Sequence, residues 1–96
     1  MLAERTLIGQ TVNRVDQKVT LYGWVNSIRD HGKLVFLDLR DRSGLIQVVG
    51  NKELLGKVKN EFVLAIKGRV KSRPQRLVND KIATGGIELL VEKVTV

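Results

Sequence analysis

Between residues 18 and 50 the hydrophobic positions alternate with polar ones at a period of two, which predicts strands rather than helices. From Lys18 to about Arg29, Val19, Leu21, Gly23 and Val25 fall on one face and Thr20, Tyr22, Trp24 and Asn26 on the other. Both faces carry large apolar groups. The strand is therefore expected to be covered on both sides or to bend, with Gly23 at the bend and Trp24 in the core. In the next run Val35, Leu37 and Leu39 share one face, and Phe36, Asp38 and Arg40 the other. His31-Gly32-Lys33 and Arg42-Ser43-Gly44 separate the runs. Short Gly-containing links of this kind close hairpins, because Gly reaches positive φ without steric cost. Gly23 to Val49 thus reads as a meander of three antiparallel strands.

The period changes after the third run. Asn51 is a candidate N-cap, Glu53 lies in the first turn, and Leu54, Leu55 and Val58 form a narrow stripe at helical spacing. A short helix within Asn51 to Asn60 is expected to plug one end of a barrel, weakened at Gly56 by about 1 kcal/mol relative to Ala. Glu61 to Arg73 is the clearest strand: Phe62, Leu64, Ile66, Gly68 and Val70 alternate with Val63, Ala65, Lys67, Arg69, Lys71 and Arg73. A loop from Pro74 to Gly86 leads to a last strand, Ile87 to Val96, with Glu88 and Glu92 among aliphatics. Residues 1–17 are weakly periodic. Their apolar points, Leu7, Ile8, Val12 and Val15, suggest a helical turn or irregular lead-in that reaches the first strand through Asp16-Gln17.

At 96 residues the chain has room for a single domain, residues 1–96, with one small core. The absence of cysteine excludes disulfides and thiolate metal sites, and a single histidine excludes multi-histidine zinc sites. Met1 to Leu7 contains Glu4 and Arg5 and leads into no apolar run, so no signal peptide is expected. No stretch approaches the roughly 18–20 apolar residues of a membrane span. A cytoplasmic protein is expected. The formal net charge of +7 points to a polyanionic partner, nucleic acid first and an acidic membrane surface second, although it also serves solubility.

An aromatic on the polar face of the middle strand is either a stray surface hydrophobe or a platform for a stacked base. Arg29 precedes the first turn and Gln47 lies on the third strand. Aromatic, guanidinium and amide on adjacent strands are the parts that single-stranded RNA recognition uses. The basic row Lys67, Arg69 and Lys71 reads either as a solvated face that guards an edge strand or as a track for phosphates. Arg73 stands where that strand enters the loop. Catalytic signatures are missing: there is no P-loop pattern, no cysteine nucleophile and no triad around the one histidine. Asp38 and Asp41, flanked by Arg40 and Arg42, read as turn-region ion pairs rather than a catalytic carboxylate pair.

Three meandering strands, a short helix and two further strands define an all-β class, the five-stranded Greek-key OB-fold barrel with one short helix between strands three and four. Its binding surface is the face of strands two and three with the bordering loops, where Phe36, Gln47, His31, Arg73 and Asn79 fall. GWVNSIRDHGKLVFLDLRDRSGLIQVV, with NEFVLAIKGRVKSR and ATGGIELLV after it, resembles the N-terminal anticodon-binding domain of bacterial-type aspartyl-tRNA synthetases over roughly residues 5–96. Asparaginyl- and lysyl-tRNA synthetases share a looser version.

The resemblance implies that the partner is a tRNA anticodon stem-loop, that of aspartate tRNA. Phe36 matches the family's aromatic under the middle anticodon base, Gln47 the amide that reads the anticodon, and Arg29, Arg73, Asn79 and Glu88 positions around the remaining bases. His31 resembles the relaxed type that also accepts asparagine tRNA. One departure is that Asn26-Ser27-Ile28 stands where many members carry consecutive arginines, leaving only Arg29. The family's ATP- and Mg-using catalytic domain follows this one, so neither catalysis nor a cofactor is expected of this chain. The resemblance also implies a monomer for the isolated domain, a homodimer for the full-length parent and no membrane partner. A sequence-tolerant single-strand binder and a protein-binding scaffold are the alternatives.

Overall fold

A computed structural model describes residues 6–96; residues 1–5, and with them the start of the expected lead-in, lie outside the described residues. The strands are β1 (Lys18–His31), β2 (Leu34–Asp41), β3 (Gly44–Asn51), β4 (Val63–Ser72) and β5 (Ile87–Thr95), with α1 (Lys52–Leu55) between β3 and β4. They close a barrel in the order β1-β2-β3-β5-β4. All neighbours are antiparallel except β3 and β5, which run parallel and pair only at Val48–Leu89 and Val49–Leu90. This is the OB-fold architecture.

The period of two sets what is inside. Val19, Leu21 and Val25 of β1, Val35, Leu37 and Leu39 of β2, Ile46 and Val48 of β3, Leu64, Ile66 and Val70 of β4 and Leu89 of β5 are all buried in one core. Gly32, at φ 75°, lets β1 turn tightly into β2. Asn51 caps α1 through its Oδ1, which accepts from the Leu54 N–H at 2.9 Å. The helix is shorter than the stripe suggested. A turn from Leu55 to Val58, whose N–H donates to Leu55 O at 3.2 Å, already brings both side chains into the core.

The lead-in is a 3-10 helix, Ile8–Asn13, that buries Ile8 and Thr11 and leaves Val12 and Val15 exposed. Its first N–H groups need partners outside the helix. Leu7 donates to Gln10 Oε1 (2.9 Å), Ile8 to Asp41 Oδ2 (2.9 Å) and Gly9 to Ser43 Oγ (2.8 Å). The segment is therefore fastened to the β2–β3 turn.

Three expectations are corrected. Trp24 is not in the core: it is 38% exposed, and Tyr22 beside it 40%. A closed barrel has one interior, the other face of β1 fills it, and Trp24 and Tyr22 stand on the outer one. The irregularity in β1 falls at Asn26, between Val25 and Ser27, instead of at Gly23. Gly23 serves a close approach, since a Cβ there would lie 2.4 Å from the Arg40 carbonyl oxygen. Asp38 and Asp41 do not pair with Arg40 or Arg42. Asp38 pairs with Arg29 across the strands. Asp41 has the inward phase of Leu37 and Leu39, is buried, and accepts from the Ile8 and Ser43 N–H groups and the Ser43 hydroxyl.

Candidate nucleic-acid interface

β2 runs between β1 and β3, so each of its outward side chains has a neighbour on either side. Phe36 is in register with Arg29 and Val49, and Asp38 with Ser27 and Gln47. Arg29 leans across this surface. Its guanidinium donates to both Asp38 oxygens (3.0 and 3.4 Å) and to Gln47 Oε1 (3.1 Å). Ser27 Oγ donates to Asp38 Oδ2 at 2.7 Å, and Gln47 Nε2 donates to Glu88 Oε2 at 3.0 Å. One chain of polar contacts, Ser27–Asp38–Arg29–Gln47–Glu88, thus crosses β1, β2, β3 and β5 beside the Phe36 ring. Exposed pairs of this kind add at most about 1 kcal/mol of stability. Their larger effect is geometric. With Oε1 and Nε2 each engaged, the Gln47 amide has one favoured orientation.

The Phe36 ring is half-buried and has His31 against it edge-on, with centroids 5.1 Å apart and planes at 68°. At this end a concavity of about 350 Å³ is bounded by Gly32, Lys33, Asn51, Lys52 and Glu53. Lys52 pairs with Asp30 there at 3.3 Å. That hydrogen bond, with one from the Gly32 N–H, holds the Asp30 carboxyl below the usual carboxylate range. A second hollow of about 240 Å³ at the opposite end involves Arg40, Leu45, Ile82 and Thr84. The Thr84 hydroxyl donates to the Leu45 carbonyl and ties the β4–β5 loop to β3.

Arg29, His31, Phe36, Gln47 and Glu88 are brought together on one surface, and Lys71 of β4 is in register beside Glu88. Arg73 serves the loop, donating to the Ile87 carbonyl (2.8 Å) and the Leu77 carbonyl (3.4 Å). The Asn79 carboxamide oxygen accepts from the Lys81 N–H at 3.0 Å. A Cβ on Gly85 would fall 1.5 Å from the Asn79 carbonyl oxygen, so only glycine fits this fold of the loop. Arg69 and Lys71 of the basic row are held by Asp16, through its carbonyl (2.5 Å) and carboxylate (2.9 Å) respectively. Lys67 is exposed and forms no ion pair among the described residues. Sequence reasoning missed Asp38 and Ser27 as members of the surface. The available signal was phase, since Asp38 shares the face of Phe36 two residues on.

A closed five-stranded barrel with an aromatic, a guanidinium and an oriented amide on adjacent strands defines a nucleic-acid-binding OB-fold domain. The chain belongs to the family of tRNA anticodon OB-fold nucleic acid binding domains, which it matches over residues 19–96. It is 47% identical over 89 residues to an aspartate–tRNA ligase of Listeria welshimeri, an alignment covering 85% of this chain and 15% of that protein. It is 45% identical over 94 residues to an aspartate–tRNA(Asp/Asn) ligase of Legionella pneumophila, covering 90% and 16%. Among solved structures, asparaginyl-tRNA synthetase from Pyrococcus horikoshii with asparaginyl-adenylate superposes with a TM-score of 0.78 at 28% identity, over 99% of this chain and 22% of that one. The chain therefore spans about one-sixth of the length of the curated relatives it matches. No helix among the described residues is long and apolar enough to cross a membrane.

Proposed function

We propose that the chain reads the anticodon of aspartate tRNA, with the middle base stacked on Phe36 and its edge met by Gln47. The observation that carries this reading is the Gln47 amide beside Phe36, bonded to Arg29 on one side and Glu88 on the other. A base whose donor and acceptor are in the matching order completes the remaining valences of that amide. A base in the reverse order leaves polar groups unpaired at a cost of about 1–3 kcal/mol. Arg29 and Glu88 then serve neighbouring bases, Arg73 and Asn79 border the site from the loop, and Lys67, Arg69 and Lys71 face phosphates. His31, against Phe36, stands where a third base would discriminate aspartate from asparagine tRNA. The similarity to a ligase named for both tRNAs supports acceptance of both. In this reading the longer cytoplasmic protein, a homodimer, performs ATP- and Mg-dependent aminoacylation through a domain outside this chain, and the isolated domain is a monomer.

The test is a titration of this chain with an aspartate-tRNA anticodon stem-loop beside two variants, one with the middle base changed and one carrying the asparagine third base. The middle-base change is expected to cost more than about 1 kcal/mol. The asparagine variant is expected to bind nearly as well as the parent. Equal binding by all three loops that fades alike with salt would leave a sequence-tolerant binder instead.

A further inference from the structure

The outward side of the first half of β1 carries Tyr22 and Trp24, in register with Ala65 and Val63 of β4. Val63 is itself 70% exposed. Residues two apart on a strand stand about 7 Å apart on the same face, so the two rings can each meet a different base. Cations surround them. Arg40 lies opposite Trp24 on β2. Lys67 lies opposite Thr20, two pairs beyond the Tyr22–Ala65 pair and so on the same face, and is itself opposite Lys93 of β5. Arg40, Lys67 and Lys93 form no ion pair among the described residues, whereas Lys18 is paired with Glu92 at 3.3 Å. Arg40 donates to Asn26 Oδ1 at 3.3 Å and is otherwise exposed.

This wall is continuous with the Phe36 face. Arg40 is four residues from Phe36 along β2, about 13 Å on the same side of the sheet. Aromatic rings interleaved with unpaired cations are what a single strand of nucleic acid needs for stacking and for its phosphates. They suit a protein partner poorly. The apolar part amounts to three side chains, far short of the roughly 800 Å² that each side of a stable dimer buries, and a second copy would bring its own charge of +7.

The geometry points to a second RNA-contact strip: nucleotides flanking those at Phe36 pass over Arg40, stack on Trp24 and Tyr22, and turn their phosphates toward Lys67 and Lys93. The inference rests on the nucleic-acid reading of the Phe36 face, to which Arg40 joins the strip. It concerns nucleotides bound without regard to sequence, since every base has a face to stack.

Trp24 is the only tryptophan in the chain, so its fluorescence reports on this strip alone. The test uses two single-stranded RNAs containing the aspartate anticodon, of about four and about twelve nucleotides, within the range one OB fold spans. Saturation is followed separately by the anisotropy of a dye on the RNA. The longer RNA is expected to quench Trp24 and the shorter to leave it unchanged. Trp24→Leu should weaken the longer RNA at least about fivefold and the shorter less than about twofold. Lys67→Ala should flatten the dependence of log affinity on log salt by about 0.7 for the longer RNA. Saturation by the longer RNA with unchanged Trp24 fluorescence in the unmodified chain overturns the strip, whatever the variants do. A blue shift of Trp24 with protein concentration in the absence of RNA also overturns it and assigns the wall to self-association. If Trp24 is quenched while Phe36→Ala leaves both affinities unchanged, the strip stands and the anticodon reading falls.

Discussion

Phe36→Ala is expected to weaken binding of the aspartate-tRNA anticodon stem-loop by about 1–3 kcal/mol, roughly five- to 150-fold, and to erase most of the preference for the middle base. The ring is the only aromatic on the outward face of β2, and in the proposed reading a stacked base would gain its contact area there. Losing the stack also loses the fixed distance at which Gln47 meets the base edge, so affinity and discrimination fall together. The barrel should be little changed, because the core residues Val35, Leu37 and Leu39 use the opposite phase of the strand. Phe36→Tyr, which keeps a ring, is expected to retain most of the affinity. Anisotropy titration with a labelled stem-loop measures the loss, and a thermal melt of the same variants confirms that folding is retained. An alanine variant that binds like the parent would move the stack away from Phe36.

Asp41→Ala destabilises the fold by about 2–4 kcal/mol. Burial by itself would raise the pKa of this carboxyl. The Ser43 hydroxyl and the N–H groups of Ile8, Ser43 and Gly44 outweigh burial, and the net effect lowers it. Truncation leaves the Ile8 N–H without an acceptor and unfastens the helix that presses Ile8, fully buried, into the barrel. The sign of the pH dependence follows. A carboxyl whose folded pKa lies below its unfolded value contributes stability that is complete above the unfolded value, near pH 4, and is lost as pH falls through the folded one. Urea unfolding at neutral pH should therefore show the full gap between parent and variant, and the gap should narrow below about pH 4. Asp41→Asn should lose less at neutral pH than the alanine variant, and its gap from the parent should also narrow in acid, because neither variant titrates at this position. A gap independent of pH would mean that the carboxylate charge contributes nothing.

Local signals carried most of the fold. Alternation phased β2 and β4 correctly, Gly32 marked a hairpin, and Asn51 marked a helix start, because each reflects a rule acting over a few residues. The placement of Phe36, Arg29 and Gln47 on one surface was legible for the same reason: strand phase and neighbour relations follow once two tight turns are placed. What escaped depends on groups distant in the chain. The partners of Asp41 include an N–H 33 residues away. The carbonyls that the Arg73 guanidinium engages, those of Leu77 and Ile87, are set by how the loop returns to β5, which alternation does not state. Trp24 next to a glycine in a strand suggested filled volume. Alternation states which residues share a face; only the closed barrel determines which face is inside.

The parallel junction of β3 and β5 makes the barrel unequal around its girth. It joins the two strands at only two residue pairs, while β4 and β5 pair from Ala65–Thr95 to Ser72–Ile87 with one register shift between Lys67 and Gly68. Side chains bridge the same seam, Gln47 to Glu88 and Thr84 to the Leu45 carbonyl. A ligand held by both Gln47 and Glu88 would clasp the barrel at its least cross-linked point, and by linkage would make that seam harder to open. Amide hydrogens at Val48 and Leu89 should then exchange more slowly when RNA is bound. Conversely, a substitution that loosens the seam without touching RNA would appear as lost affinity, because part of the binding free energy would go into closing the barrel.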